Sequence, residues 1–398
     1  MSYVGVDIGK RCHEAAFLAE DGSPARRSLR FASDRSGLET LCEALPGLGA
    51  PVQVALEASG HYWLTLHHAL SAAGYQVVVL NPLQTDAYRR AFLRKTKTDT
   101  KDATLIADLL RIGRLHPSYV PQGWVLKLRE LSRFRFGLVD HIGDAKRKII
   151  ALLDRVFPEY ERLFSNVFIK SSRELLASAA TAEEFAAFDL AELTRRLRRT
   201  SKGRFGAAKA RQIQQAAHDS LGVPYLADAL RVQLRCLLAQ VEFLEAQLRL
   251  VEGHLEALLA QQEQFLTTIP GVEAVLAAAM LGEIGDVRRF PAFEKLCGYA
   301  GIDPSVFQTA EFTADTAHMS KRGSPYLRRA LWQSAVTARL HNPDLKAFFE
   351  RKLAEGKPFR VAMGAVCNRL LARIYAVLTE HRPYQIRSSN RSITESVH

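Results

Sequence analysis

Val4-Gly5-Val6-Asp7-Ile8-Gly9-Lys10 reads as a short β-branched strand carrying one acid near its end. Glu14 to Ala19 reads as a second strand, and Asp21-Gly22-Ser23-Pro24 turns it into a third, so the chain opens as a meander with Asp7 on its first strand. A helix over Ser36 to Leu45 follows, then the strand Val52 to Glu57, a helix after Ser59-Gly60-His61 to about Ala73, and an apolar strand Tyr75 to Leu80 closed by Asn81-Pro82. Three antiparallel strands followed by alternating helices and strands predict a mixed α/β domain. Ligands of such sheets gather at strand C-termini, and Glu57 stands at one.

The next informative stretch is Arg94-Lys95-Thr96-Lys97-Thr98-Asp99-Thr100-Lys101-Asp102-Ala103, whose two carboxylates stand three apart where a helical pattern (Leu105, Ile106, Leu109, Leu110) begins. Residues so spaced share a helix face. Like charges that close repel unless something positive lies between them, and a divalent cation with oxygen ligands would serve. The plainer alternative is a solvated helix start in which Asp99 caps the helix and Asp102 favours its positive end.

With 398 residues and 47% hydrophobic content, the chain can form two or three cores. Its net charge of +12 points to a polyanionic partner. Nucleic acid is favoured over a membrane, because no apolar run in the sequence reads as long enough to span a bilayer. The start Met1-Ser2-Tyr3-Val4 carries neither a charged leader nor an apolar signal core, so a cytoplasmic protein is expected. Five widely spaced cysteines without a C-x-x-C pair predict reduced thiols and no zinc site.

From Trp124 to Phe157 the pattern turns helical, with Leu128, Leu131, Leu138 and Ile142 on one side and a basic set (Arg129, Arg133, Arg135, Lys146, Arg147, Lys148) available to another. That basic face is either solvated or in contact with nucleic acid. The segment holding Arg195, Arg196, Arg198, Arg199, Lys202 and Arg204 reads as phosphate-contacting. Leucines and valines from Leu226 to Leu258 then recur at alternating steps of four and three, a coiled-coil seam whose partner is either a second copy or the helix near residue 140. Thr268-Ile269-Pro270-Gly271-Val272 before an Ala-rich run reads either as a helix-hairpin-helix, presenting N–H groups to phosphate, or as a turn between packed helices. Lys321, Arg322, Arg328 and Arg329 flank a Gly-Ser-Pro turn and suit phosphate binding, and the end of the chain has a disordered tail's composition.

Asp7, Glu57, Asp99 and Asp102, on two strands and a helix start, make a pattern of ribonuclease-H-like nucleases. Carboxylates that hold hard cations can activate a hydroxyl and stabilise the leaving oxygen of a phosphodiester. The chain resembles the DEDD transposases of insertion sequences, the family that includes the Piv-type DNA invertases and has members working with a bridge RNA. Its first block is Gly5-Val6-Asp7-Ile8-Gly9-Lys10, Glu57-Ala58-Ser59-Gly60, Asn81-Pro82 and Lys97 to Ala103. Its second is Ile269-Pro270-Gly271-Val272, Gly282-Glu283-Ile284-Gly285-Asp286, Phe290, Tyr299-Ala300-Gly301-Ile302-Asp303-Pro304, and Met319-Ser320-Lys321-Arg322-Gly323 through Arg329.

The resemblance implies an α/β plus α architecture: a RuvC-like catalytic domain over 1–158, a helical coiled-coil connector over 159–265, a mainly helical transposase domain over 266–385, and a tail over 386–398. It implies Mg²⁺ or Mn²⁺ on Asp7, Glu57, Asp99 and Asp102, a serine nucleophile in the second block, and DNA element ends, target DNA and a bridge RNA as partners of a dimer or tetramer. Here Gln308-Thr309-Ala310 stands where the family's Ser-Gly is expected, making Thr309 the candidate nucleophile, and Glu273 replaces the hairpin's second glycine. Rival expectations are a metal-dependent junction-resolving nuclease, a catalytically silent nucleic-acid-binding relative, and a sugar-kinase-like ATPase. The ATPase is disfavoured by the basic charge and the lack of a later Gly-rich phosphate loop.

Overall fold

The β-branched start, the meander turn and the later apolar runs give one five-stranded sheet. β1 (Ser2–Asp7), β2 (Cys12–Leu18) and β3 (Pro24–Ala32) are antiparallel, and β4 (Val52–Glu57) and β5 (Gln76–Leu80) run parallel to β1, in the order β3-β2-β1-β4-β5. The computed structural model describes residues 1–48, 51–90, 98–115, 117–121, 123–223, 225, 227–303 and 319–386, with backbone alone at 308–309 and 312–313. The chain forms two compact units, Met1–Val120 and Pro121–His398. Helix 124–156, which closes the 1–158 domain drawn from the sequence, thus packs in the second unit.

Side chains alternate across a strand. In the first unit Val4, Val6, Val54 and Leu56 accordingly pack on one face with α1 (Arg35–Ala44) and α2 (Trp63–Ala72). The other face takes Tyr3, Ala55 and Leu80 against α4 (Asp99–Ile112), with α3 (Pro82–Arg90) beside it. Gly5 makes this second contact possible: a Cβ there would lie 2.2 Å from the Ala107 nitrogen and 2.3 Å from the Ala103 oxygen.

Among its described residues the second unit is helical apart from a hairpin of two short strands. Its spine is a pair of long helices, α5 (Trp124–Val156) and α10 (Ala227–Ala260). Between them in the chain lie α6 (Lys170–Ser178), α7 (Ala182–Ala186), α8 (Leu190–Thr200) and α9 (Ala207–His218). After them come α11 (Ala274–Ile284), α12 (Phe293–Ala300), β6 (Gln308–Thr309), β7 (Phe312–Thr313), α13 (Pro325–His341), α14 (Pro343–Ala354) and α15 (Phe359–Glu380). Arg135 pairs with Glu252 and Lys146 with Glu245, so α5 and α10 run antiparallel.

The leucine seam therefore has its partner inside the chain: Leu230, Leu234, Val241, Val251 and Leu255 are buried. Two cores are strung along the pair. One joins the C-terminal half of α5 to α6–α9, and the other joins its N-terminal half to α11–α15. Leu226 of the seam, and residues 387–398 of the expected tail, lie outside the described residues.

Two expectations change. Among the described residues one helix, α15, is long and apolar enough to cross a membrane by length and composition, although the sequence reads as having no such run. Its Ala362, Met363, Val366, Leu370, Leu371 and Ile374 are buried in the second unit's core, which accounts for the apolar composition. The basic set of α5 is also largely committed internally. Arg129 donates to the Gly282 and Glu283 carbonyls, Arg133 to the Glu283 carboxylate, Arg135 to Glu252 and Lys146 to Glu245.

Glu245 sits between Arg173 and Lys146, and the Arg173 guanidinium, aided by the Lys146 ammonium, pushes its carboxyl down to about 2. A carboxylate depressed in the fold stabilises it above the unfolded value of 4.5, and that contribution is lost as pH falls through the folded value of about 2. Glu245→Gln should cost roughly 1–2 kcal/mol at neutral pH, allowing for partial solvent screening. The deficit should shrink as the pH drops from about 4.5 towards 2. Urea midpoints across that range test this, and a deficit that stays constant with pH refutes it.

Candidate active site

The two strand acids reach the same place for the same reason. Asp7 continues the Tyr3 and Gly5 face of β1, Glu57 continues the Ala55 face of β4, and Gly5 is paired with Ala55 in parallel register. Both carboxylates thus stand at the C-terminal ends of adjacent strands, on the face covered by α4. The first turn of α4 lies at that end, because Thr100 Oγ1 donates to Glu14 at 3.0 Å and Glu14 is the cross-strand partner of Asp7. Thr98, rather than Asp99, caps the helix by accepting from the Lys101 N–H at 3.3 Å. Asp99 is exposed, whereas Asp102, one turn on, is buried with 7% of its surface accessible.

Helix α3 supplies two partners that sequence reading did not single out. Thr85 Oγ1 donates to Glu57 at 2.8 Å, and the Arg89 guanidinium lies 3.1 Å from Asp102. Four residues apart, they share one helix face. Their only sequence signal is that spacing after Asn81-Pro82. A buried carboxylate needs a compensating charge, and Arg89 provides it, while the Arg89 Nε has no hydrogen-bond partner among the described residues. Tyr88 donates to Asp108 at 2.5 Å, and burial, reinforced by that carboxylate, pushes its hydroxyl up to about 12. Among the described residues no three His, Cys, Asp or Glu side chains are gathered closely enough to hold a metal ion. The donor set is nevertheless all oxygen, which suits a hard cation, and the guanidinium on Asp102 marks where positive charge is required. Arg94 to Lys97 lie outside the described residues.

In the second unit the motif residues pair backbone to backbone. Gly301, at φ +67°, and Gly323 lie so close that a Cβ on Gly323 would stand 2.0 Å from the Tyr299 oxygen. Lys321 donates its N–H to Gly301, Ser324 to Tyr299 and Ser320 to Asp303, so the two ends of the segment 304–318 are clamped together. Glu283, 1% exposed, anchors the clamp by accepting from Arg133 at 2.7 Å and from Ser324 Oγ at 2.8 Å. Thr309 belongs to β6, paired with Phe312, while its side chain and Ser305 lie outside the described residues.

Of the candidate phosphate contacts, Lys321 and Arg322 are exposed, whereas Arg328 donates to the Ala300 carbonyl and Arg329 makes a two-pronged pair with Asp140 at 2.8 Å. Arg195 and Arg196 pair with Glu192, and Arg199 pairs with Glu174. Arg198, Lys202 and Arg204 are exposed at the end of α8 and the turn after it. Gly271, at φ +91°, is demanded by packing: a Cβ there would lie 2.3 Å from the Ala338 Cα of α13.

Comparison with known proteins defines the class. A family model described as a transposase matches residues 4–158, and one described as the transposase IS116/IS110/IS902 family matches residues 263–350. The chain belongs to this insertion-sequence transposase family and is an enzyme that cleaves and rejoins DNA. It is 25% identical to the insertion element IS900 uncharacterized 42 kDa protein of Mycobacterium paratuberculosis, over 96% of each chain. It is 25% identical to the insertion element IS116 uncharacterized 44.8 kDa protein of Streptomyces clavuligerus, over 96% of this chain and 95% of that one. The pilin gene-inverting protein of Moraxella bovis is 24% identical over 97% of this chain and 98% of its own.

Proposed function

We propose that the protein excises an insertion sequence and inserts it at a specific site, with metal-assisted strand cleavage, a hydroxyl nucleophile and a bridge RNA that selects the site. The observation that carries this reading is the setting of Asp7 and Glu57 at neighbouring strand ends under the first turn of α4, which bears the buried Asp102. The strand order, with three antiparallel strands and then two parallel to the first, supports a ribonuclease-H-like, RuvC-related domain. Asp7, Glu57, Asp99 and Asp102 would hold Mg²⁺ or Mn²⁺, which when bound supplies charge stabilisation for phosphodiester cleavage. Arg89 would then release Asp102, and Thr85 would keep Glu57 oriented.

In the proposed chemistry the Thr309 oxygen forms a bond to a DNA phosphorus as the bond to the departing deoxyribose oxygen breaks. The proton lost by Thr309 is matched by the one the leaving oxygen takes up. Attack by a hydroxyl of another strand reverses the exchange and rejoins DNA without an external energy source. The exposed Arg198, Lys202, Arg204, Lys321 and Arg322 would contact the phosphates of DNA and RNA.

Asp7→Ala and Asp102→Ala are expected to keep the fold and to slow cleavage of element-end DNA by about a hundredfold or more, the scale of a lost charge-stabilising group. Wild-type cleavage by either variant refutes the acid assignment. Thr309→Ala should abolish a covalent protein–DNA adduct and Thr309→Ser should retain it. Mass-spectrometric mapping of the adduct to Ser305 or Ser320 overturns the nucleophile, and absence of any adduct with wild-type protein favours the silent-relative or nuclease readings. Binding to the RNA encoded beside the element should exceed binding to random RNA of equal length and fall steeply with salt. Equal affinities in a filter-binding titration remove the RNA from the proposal.

A further inference from the structure

A cavity of about 400 Å³ opens beside the clamp that joins the two ends of the segment 304–318. Its size falls in the range of cavities that hold small ligands. Ile302 and Met319, one from each side of the clamp, and the buried Cys367 of α15 give it an apolar wall. Helix α13 supplies the rest through Arg328, Trp332 and Gln333, with Arg328 and Trp332 four apart on one helix face.

The polar groups of this wall are uncommitted. Among the described residues neither the indole N–H of Trp332 nor the amide of Gln333 takes a hydrogen bond, and both side chains are half-buried. Arg328 donates to the Ala300 carbonyl at 3.2 Å and pairs with no carboxylate among the described residues. The neighbouring Arg329, by contrast, is neutralised by Asp140. An apolar side chain in the cavity would leave the indole, amide and guanidinium without partners. A lone phosphate would leave the apolar wall and the indole face uncovered.

We propose that the cavity receives one thymine of the DNA strand to be cut, turned out of the duplex. A base has an apolar face and a polar edge, and the cavity has a surface for each. The indole gives a plane on which any base can stack. Gln333 and Arg328 select the base. Among the lining side chains Gln333 carries the only carbonyl, so the wall offers many donors and one acceptor. Thymine presents two carbonyls and a single ring N–H, which that acceptor satisfies. The amino group of adenine, guanine or cytosine carries two N–H groups, one of which would be left unpaired. The thymine methyl group suits the surface of Ile302, Met319 and Cys367. Turning out one base fixes the register of the strand on the clamp and opens a base pair where strands exchange, while the exposed Lys321 and Arg322 stand ready for its phosphates. The inference rests on the reading that the strand to be cut passes the clamp, and it does not require Thr309 to be the nucleophile.

Fluorescence anisotropy on the full chain, with the RNA encoded beside the element and with chelator to prevent cleavage, reads the affinity for element-end DNA. Trp332→Ala should weaken binding roughly tenfold, the scale of one lost base–aromatic stack, and Trp332→Phe should keep most of the affinity. When each thymine flanking the cleaved bonds is replaced in turn by an abasic nucleotide, the Trp332→Ala loss should vanish at one position and persist at the others. A loss caused by misfolding would be the same on every duplex. At that one position cytosine should bind several-fold more weakly than thymine, and Gln333→Ala should erase the difference. Iododeoxyuridine placed there should cross-link to Trp332 on irradiation. An equal loss on every duplex, a preference for an amino-bearing base, or the same coupling to an abasic nucleotide in the RNA instead of the DNA would each overturn this inference alone. Failure of the wild-type chain to bind element-end DNA would overturn it together with the proposed function.

Discussion

The first unit depends on the close approach of a helix to a strand over a residue without a side chain. With Gly5 beneath Ala103 and Ala107, α4 lies on β1 nearer than any Cβ would permit. That closeness sets both the position and the height of the first turn, and with them the distance of Asp102 from the strand ends. A larger residue at position 5 would lift the helix, so the same constraint that packs the sheet face sets the geometry available to the acids.

Charge placement follows burial. Asp102 and Glu283 are each almost wholly enclosed and each meets a guanidinium, Arg89 in one unit and Arg133 in the other. Taking a carboxylate out of water is costly unless a partner and further hydrogen bonds replace the lost solvent. Glu283 has both, with Arg133 and Ser324 on its oxygens, which suits a structural anchor for the clamped loops around 304–318. Asp102 has Arg89, whose Nε finds no hydrogen-bond partner among the described residues.

Much of the first unit was legible from the residues alone. Strand alternation and the meander turn are local signals, and they put Asp7 and Glu57 at the ends of β1 and β4 where the structure has them, while the helix start was legible to within a residue, with Thr98 in place of Asp99 as the cap. The leucine seam of α10 was equally legible, because a four-three repeat depends only on helix geometry.

Sequence by itself therefore determined the order of elements, the faces on which acids and leucines fall, and the family to which the two motif blocks belong, since each follows from residue type and spacing. The tertiary structure alone decided what each charge meets. The basic set of α5 could equally have faced phosphate, yet Arg129, Arg133, Arg135 and Lys146 turn to carbonyls and carboxylates of α10 and α11. Thr85 and Arg89 could equally have faced water, yet they lie against Glu57 and Asp102. A side chain's charge is local information, but its partner is set by which distant segment packs beside it, and that is decided by the burial of apolar surface over the whole chain.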